Sequence, residues 1–284
     1  MSDLALSRRE LLAGVTATLR AGAVPEPRRE ALRLWTELLS CHSAEALLGP
    51  DESVEPAHAA ALCRAAERRA GGEPLAHVAG RAGFRRFTLH SDRRALIPRP
   101  ETEGLVDLLL ARVRTGSLVD VGTGTGALAL SLATEGGFTT VVGVDLSAGA
   151  LELAAENRAS TGGWIQLVRG DLCEPLRPAA FDALVSNPPY LSAEEYSRLD
   201  PSVRDWEPAG ALVGGVKGVE LTTRLLDQAR TVLRPEGWLA VEVDCARALE
   251  CARRASALGW SDIAVHADLF GRDRYLLARR SATT

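Results

Sequence analysis

The sequence predicts an α/β fold in which a seven-stranded sheet, its last strand antiparallel, follows a small helical domain and a linking β-hairpin. Three observations carry this reading. No convincing strand occurs in residues 1 to about 75; apolar strand-like runs alternate with helical stretches from Glu101 onward; and the last two runs are separated by a loop too short for a helical crossover.

Taken in order, Arg8 to Arg20, Arg28 to Leu39, Ala44 to Leu48 and Pro56 to Ala70 read as helices separated by proline or glycine. Ser7-x-x-Glu10 has the spacing of a capping box, and Leu32, Trp35, Leu38 and Leu39 form one apolar stripe. Gly71-Gly72-Glu73-Pro74 ends the last of these helices. A short β segment over Phe84 to His90, a turn at Ser91-Asp92 and a return over Ala95 to Ile97 read as a hairpin linking the two parts. Strands follow near 117 to 121, 139 to 145, 164 to 168, 181 to 186 and 237 to 243, and this alternation implies a parallel sheet covered by helices on both faces. Ile263 to His266 and Tyr275 to Ala278 flank the short loop Asp268 to Asp273 and should pair antiparallel. The expected boundaries are a helical region over residues 1–75, a hairpin linker over 76–100 and the sheet domain over 101–284.

The carboxyl ends of the predicted strands carry the chemistry-bearing residues. Gly122, Thr123, Gly124, Thr125 and Gly126 stand between a strand and a helix, where glycines let the backbone approach a ligand closely and the helix start presents N–H groups. A dinucleotide fingerprint would space the glycines Gly-x-Gly-x-x-Gly; the third glycine here comes one residue early. Asp145 ends the second strand, where a carboxylate could accept from both hydroxyls of a ribose, and Asp171, before Leu172, could reach an adenine amino group. Either aspartate alone reads equally well as a turn or cap residue, since Asp145 also precedes Ser147 at a helix start. Three such features at successive strand ends favour a nucleotide site.

Asn187-Pro188-Pro189-Tyr190 follows the apolar run Phe181 to Ser186. Such a turn can hold a planar NH2 group, the Asn187 side-chain oxygen and the Pro188 carbonyl each accepting one N–H. Two prolines in a row stiffen it and Tyr190 adds an aromatic wall.

Composition is compatible and bounding. The chain has 284 residues, 46% of them hydrophobic and 25% charged, with a formal net charge of −4, which argues against a large nucleic-acid footprint. Lys217 is its only lysine. Cys41, Cys63, Cys173, Cys245 and Cys251 are scattered, without a Cys-x-x-Cys pair, and read as reduced structural thiols; no metal site is expected. No run approaches the roughly 20 apolar residues that cross a membrane. Ser7-Arg8-Arg9 followed by Leu11 to Leu19 superficially resembles a twin-arginine export signal, but the capping box and helical spacing argue for an ordinary helix and a cytoplasmic protein.

The chain resembles the bacterial release-factor glutamine methyltransferases, the PrmC or HemK family. The resemblance rests on Glu73 to Gly80, Leu96-Ile97-Pro98-Arg99-Pro100-Glu101-Thr102-Glu103, the glycine loop, Asn187 to Tyr190, and Asp268 to Arg274. It implies a Rossmann-like S-adenosylmethionine-dependent methyltransferase fold and methyl transfer to the side-chain amide nitrogen of the glutamine in the Gly-Gly-Gln motif of peptide chain release factors. On this basis Gly122 to Gly126 would line the methionine and ribose part of S-adenosylmethionine, Asp145 the ribose, and Asp171 with Leu172 the adenine edge. Asn187 would touch cofactor and substrate, while Pro188, Pro189 and Tyr190 complete the amide pocket and residues 1–75 grip the release factor. Arg99, Glu101 and Glu103 read as residues that hold the hairpin against the catalytic domain. The chain departs from the family at Leu172, where an aromatic residue is common, at Asp244 to Arg247, which replace a glycine and a downstream glutamine, and at Arg81 to Phe84, which lack an acidic residue. An amino-methyltransferase acting on nucleic-acid bases or on a ribosomal-protein glutamine would share the Asn187 to Tyr190 pocket, and a non-catalytic binding module would keep the fold. No stable nucleic-acid or membrane partner is expected, and a monomer is, since a release factor must reach the pocket.

Overall fold

The computed structural model describes residues 6–39 and 51–282, so Cys41 and the helix expected at Ala44 to Leu48 lie outside the described residues. The chain divides into two compact units, Met1–Arg81 with Pro201–Trp206, and Ala82–Asp200 with Glu207–Thr284.

The first unit is helical. Helix Arg8–Ala21 starts at the expected capping box, with Glu10 N donating to Ser7 Oγ at 3.3 Å and Ser7 N to Glu10 Oε2 at 2.9 Å. Helices Pro27–Leu39 and Pro56–Ala70 follow. The apolar stripe is shifted from the expected one: Ala31, Leu34 and Trp35 are buried, while Leu32, Leu38 and Leu39 are partly buried at its margins. Helix Leu75–Ala79 was not legible, because five residues are too few for a helical period to show. Gly80 ends it with a φ of +70°.

The linking hairpin corrects the expected one. Its strands are β1 (Arg81–Phe84) and β2 (Phe87–His90), so the turn falls at Arg85-Arg86 rather than Ser91-Asp92. Arg85 adopts a φ of +50° without being glycine or asparagine, and tertiary contacts hold it there. Its N–H donates to Glu103 Oε1 at 2.9 Å, and its guanidinium reaches Glu135 at 2.7 Å and Asp107 at 2.9 Å. Ala95 to Ile97 form no strand; Ala95 and Ile97 are buried nonetheless, and Ile97 N donates to Glu207 Oε2 at 3.0 Å instead of to a sheet partner.

The main sheet of the second unit comprises β3 (Thr115–Val121), β4 (Gly137–Asp145), β5 (Gln166–Arg169), β6 (Phe181–Ser186), β9 (Leu233–Glu242), β10 (Trp260–Ala267) and β11 (Asp273–Arg280), in the order β10-β11-β9-β6-β3-β4-β5, while the short β7 (Leu191–Ser192) and β8 (Val213–Gly215) pair separately. Neighbours pair parallel except that β11 lies antiparallel between β9 and β10. Strands β3, β6 and β9 are buried on both sides, which explains their continuous apolar runs. Helices cover both faces over two separate apolar clusters, one around Leu184, Leu226 and Leu239, the other around Leu118, Leu130 and Leu277. Strand order reverses between β3 and β6, and the carboxyl ends of those two strands hold the glycine loop and Asn187.

Candidate active site

Above that reversal lies a cavity of about 390 Å³. It is lined by Gly122, Thr123, Gly124, Thr125, Asp145, Asp171, Leu172, Asn187 and Pro189, so nine of the residues singled out from sequence meet at one place. Gly126, Pro188 and Tyr190 do not line it. Gly126 is the N-cap of helix Ala127–Glu135, Pro188 is buried, and Tyr190 turns its hydroxyl to Glu242 Oε1 at 3.2 Å.

The glycine loop follows from the backbone. Gly122, Gly124 and Gly126 have φ values of +74°, +55° and +82°, a region that side-chain-bearing residues rarely adopt. Four of the loop's N–H groups are used within the protein. Those of Gly122 and Thr123 donate to Val144 O, that of Gly124 to Asp145 Oδ2 at 2.9 Å, and that of Gly126 to Thr123 O. These residues therefore offer a ligand close approach rather than donors.

Asp145 holds the loop and the following helix together, since its other oxygen accepts from Ser147 N at 2.9 Å. Burial pushes its carboxyl above the usual range, and the Ser147 and Gly124 N–H bonds oppose that rise. Asp171 accepts from Arg224 Nη2 at 2.8 Å with one oxygen. Leu172 is buried with a φ of +49° and presents its side chain to the cavity.

Asp120, at the end of β3, was not singled out from sequence. It is fully buried; one oxygen accepts from Thr123 Oγ1 at 2.7 Å and Ala129 N at 3.2 Å, while Oδ1 has no partner among the described residues. Burial pushes its carboxyl up to about 7, against those two hydrogen bonds. The folded state therefore keeps a proton that the unfolded chain releases from about pH 4, so stability from this group is present below about pH 4 and lost as pH rises to about 7. In paired denaturant titrations Asp120→Asn should gain on the parent chain by about 4 kcal/mol between those pH values, and a pH-independent difference would contradict this.

The linking segment supplies a wall that sequence reading had assigned only to a hairpin: Phe84 and Arg94 to Arg99 line the cavity. Arg99 pairs with the buried Glu207 at 2.5 Å, the Glu101 carbonyl accepts from the Tyr275 hydroxyl, and Glu103 caps the Arg85 turn, so all three brace this segment. Asn157, also missed, ties the segment to the glycine loop: Oδ1 accepts from His90 N at 2.6 Å, and Nδ2 donates to His90 O and Thr125 O.

At the turn itself, Asn187 Nδ2 donates to Thr102 Oγ1 at 3.0 Å, and Thr102 donates to Glu242 Oε2 at 2.7 Å. Asn187 Oδ1 and the Pro188 carbonyl accept no hydrogen bond among the described residues. The turn thus keeps two acceptors for a planar NH2 group. The residues that depart from the family pattern brace the next segment: Asp244 pairs with Arg247 at 3.1 Å, and Arg247 reaches Glu195 of helix Ala193–Ser197 at 2.8 Å. Buried Cys173 and Cys251 have thiols pushed up to about 12 and about 11 by burial, which leaves them inert. Among the described residues no cluster of His, Cys, Asp or Glu could hold a metal ion, and no helix is long and apolar enough to cross a membrane.

Comparison with known proteins agrees with this geometry. Residues 100–199 match the Methyltransferase small domain and residues 10–80 the PrmC N-terminal domain. The chain is 37% identical to the release factor glutamine methyltransferase of Nitratidesulfovibrio vulgaris, covering 95% of this chain and 94% of that one. It is 39% identical to the release factor glutamine methyltransferase of Deinococcus radiodurans, covering 96% and 98%. Among solved structures, a methyltransferase from Pyrococcus furiosus shares the fold at a TM-score of 0.52 and 19% identity over 89% of this chain and 98% of that one. A 16S rRNA methyltransferase from T. thermophilus, solved with AdoMet and guanosine, shares it at 0.52 and 20% identity over 70% and 49%.

Proposed function

The chain belongs to the release factor glutamine methyltransferase family, and from that premise we propose that it methylates the side-chain amide nitrogen, N5, of the glutamine in the Gly-Gly-Gln motif of peptide chain release factors. The observation that carries the reading is the pair of free acceptors at Asn187 Oδ1 and the Pro188 carbonyl, beside a cavity of cofactor size.

The cavity suits S-adenosylmethionine. A Cβ built on Gly122 meets no protein atom within 4 Å, so any side chain there would occupy the space the ligand needs. Gly122 to Thr125 would line the methionine and ribose part, with Gly126 turning the backbone beneath them. The Asp145 carboxylate keeps lone pairs for ribose hydroxyls beyond its two N–H bonds, and Asp171 with Leu172 stands where the adenine edge would lie. When bound, the cofactor supplies an electrophilic methyl group on a sulfonium.

An amide nitrogen is a weak nucleophile because its lone pair is delocalised into the carbonyl. Asn187 Oδ1 and the Pro188 carbonyl, by accepting both of its N–H bonds, draw electron density toward nitrogen and fix the plane of the group. Pro189 lines the pocket and Tyr190, next to it in the turn, is anchored to Glu242, and orientation supplies most of the acceleration. No side chain is assigned as a general base, since a methylated amide nitrogen is acidic and loses its proton readily. Residues 1–75 serve release-factor recognition, and the chain acts as a cytoplasmic monomer.

The test is transfer of labelled methyl to a purified release factor, beside the same factor with its Gly-Gly-Gln glutamine changed and beside DNA and ribosomal RNA. Label on the intact factor alone is expected. Label on nucleic acid would keep the pocket chemistry and overturn the substrate.

A further inference from the structure

Beside the Asn187 turn a chain of polar groups runs from Thr102, which lines the cavity, to the buried Glu242. Glu242 ends β9 and is 1% exposed, with Thr102 5% exposed beside it. Glu242 Oε2 accepts from the Thr102 hydroxyl at 2.7 Å and Oε1 from the Tyr190 hydroxyl at 3.2 Å. Arg274 Nη1 stands 3.7 Å from Oε1 and is itself held by Asp268 at 2.7 Å. The ion pair keeps a compensating charge beside the buried carboxylate.

Burial pushes the Glu242 carboxyl up, while the Thr102 hydroxyl, the Arg274 charge and the Tyr190 hydroxyl favour its ionised form; in that form it sets the directions of these bonds. An ionised carboxylate accepts only, so the single proton of Thr102 points at Glu242. The Thr102 oxygen then has only lone pairs to offer Asn187, whose NH2 group must be the half of the amide that faces it, at 3.0 Å. Oδ1 is thereby left as the half available to a ligand. With the amide reversed, an NH2 group would face the NH2 group of the acceptor glutamine, donor against donor.

We propose that Glu242, acting through the Thr102 hydroxyl, is a positioning residue that fixes the orientation of the Asn187 amide so that its oxygen serves as the acceptor, with Tyr190 held by the same carboxylate. This rests on the reading of Asn187 as the group that binds the substrate amide. The two halves of the relay come from distant segments, the short helical turn Pro100–Thr102 and β9, which the fold brings together at the Asn187 turn.

Three variants test it: Thr102→Val, which keeps shape and loses the hydroxyl, Thr102→Ser, which restores it, and Glu242→Gln. With the release factor as substrate, Thr102→Val should lower kcat roughly 10- to 100-fold while Thr102→Ser stays within about threefold of the parent. S-adenosylmethionine affinity by calorimetry and release-factor KM should change little, because the relay sets an orientation felt in the transition state. A general packing role would not separate valine from serine or kcat from cofactor affinity. Equal kcat for Thr102→Val and the parent, or equal losses for valine and serine, would overturn the proposal. If Thr102→Val does not fold, Glu242→Gln decides: a folded variant with reduced kcat and unaltered cofactor affinity supports the relay, and an unchanged kcat overturns it. The parent enzyme separates the two readings. If it transfers no methyl to the release-factor glutamine, the proposed function falls; if it does and the variants match it, only the positioning role falls.

Discussion

Asn187→Ala is expected to lower turnover roughly 10²- to 10³-fold, about 3–4 kcal/mol of transition-state stabilisation, while leaving a cooperative unfolding transition. Alanine removes one of the two acceptors of the turn and leaves the substrate amide free to rotate. The structural loss is small, since Asn187 makes one hydrogen bond, to Thr102, which is worth about 1 kcal/mol. Steady-state kinetics beside thermal unfolding separates the two effects. Near-normal turnover in a folded variant would remove Asn187 from the reaction.

The second large effect is expected at a residue that touches no ligand. Gly214 lies in β8 (Val213–Gly215), which pairs with β7 (Leu191–Ser192) directly after the Asn187 turn. A Cβ on Gly214 would stand 2.2 Å from the Pro189 carbonyl oxygen and 2.9 Å from Tyr190 Cα. Those are backbone atoms of a doubly proline-stiffened turn, so the turn as a whole must move. Gly214→Ala should lower kcat about 10²-fold through misplacement of the acceptors, with a stability loss of about 1–3 kcal/mol from overpacking. Gly14→Ala is the control: its Cβ meets nothing within 4 Å in the middle of helix Arg8–Ala21, so it should raise stability by up to about 1 kcal/mol and leave turnover alone. Full activity in Gly214→Ala would show that the turn tolerates displacement.

What the sequence reveals and what it hides both have physical reasons. Buried strands such as Phe181–Ser186 announce themselves as apolar runs, and Gly122 to Gly126 and Asn187 to Tyr190 are contiguous, so their chemistry is visible locally. The short Asp268 to Asp273 loop likewise revealed the antiparallel β10–β11 pair. The linking hairpin was misplaced because its turn uses two arginines, with no glycine, asparagine or proline to mark it; Glu103, Glu135 and Asp107 hold Arg85 from elsewhere in the chain. Ala95 to Ile97 looked like a strand because they are apolar, yet they are buried as a cavity wall anchored by Glu207. Thr102 stood unremarked between Glu101 and Glu103, the residues whose charge drew notice. Its role depends on Glu242, 140 positions away, and parallel pairing of β6 with β9 carries Glu242 to the Asn187 turn. The one sequence signal for it was a carboxylate directly after the apolar run Trp238 to Val241.

The measurement that bears most directly on the central claim is to locate the methyl group by tandem mass spectrometry on a release factor treated with the enzyme and S-adenosylmethionine. The expected result is a single methyl on the side-chain amide of the Gly-Gly-Gln glutamine, recovered as N5-methylglutamine and absent with Asn187→Ala. A methyl placed on any other residue, or the same product formed equally well by Asn187→Ala, would contradict the assignment of this turn as the amide-binding site.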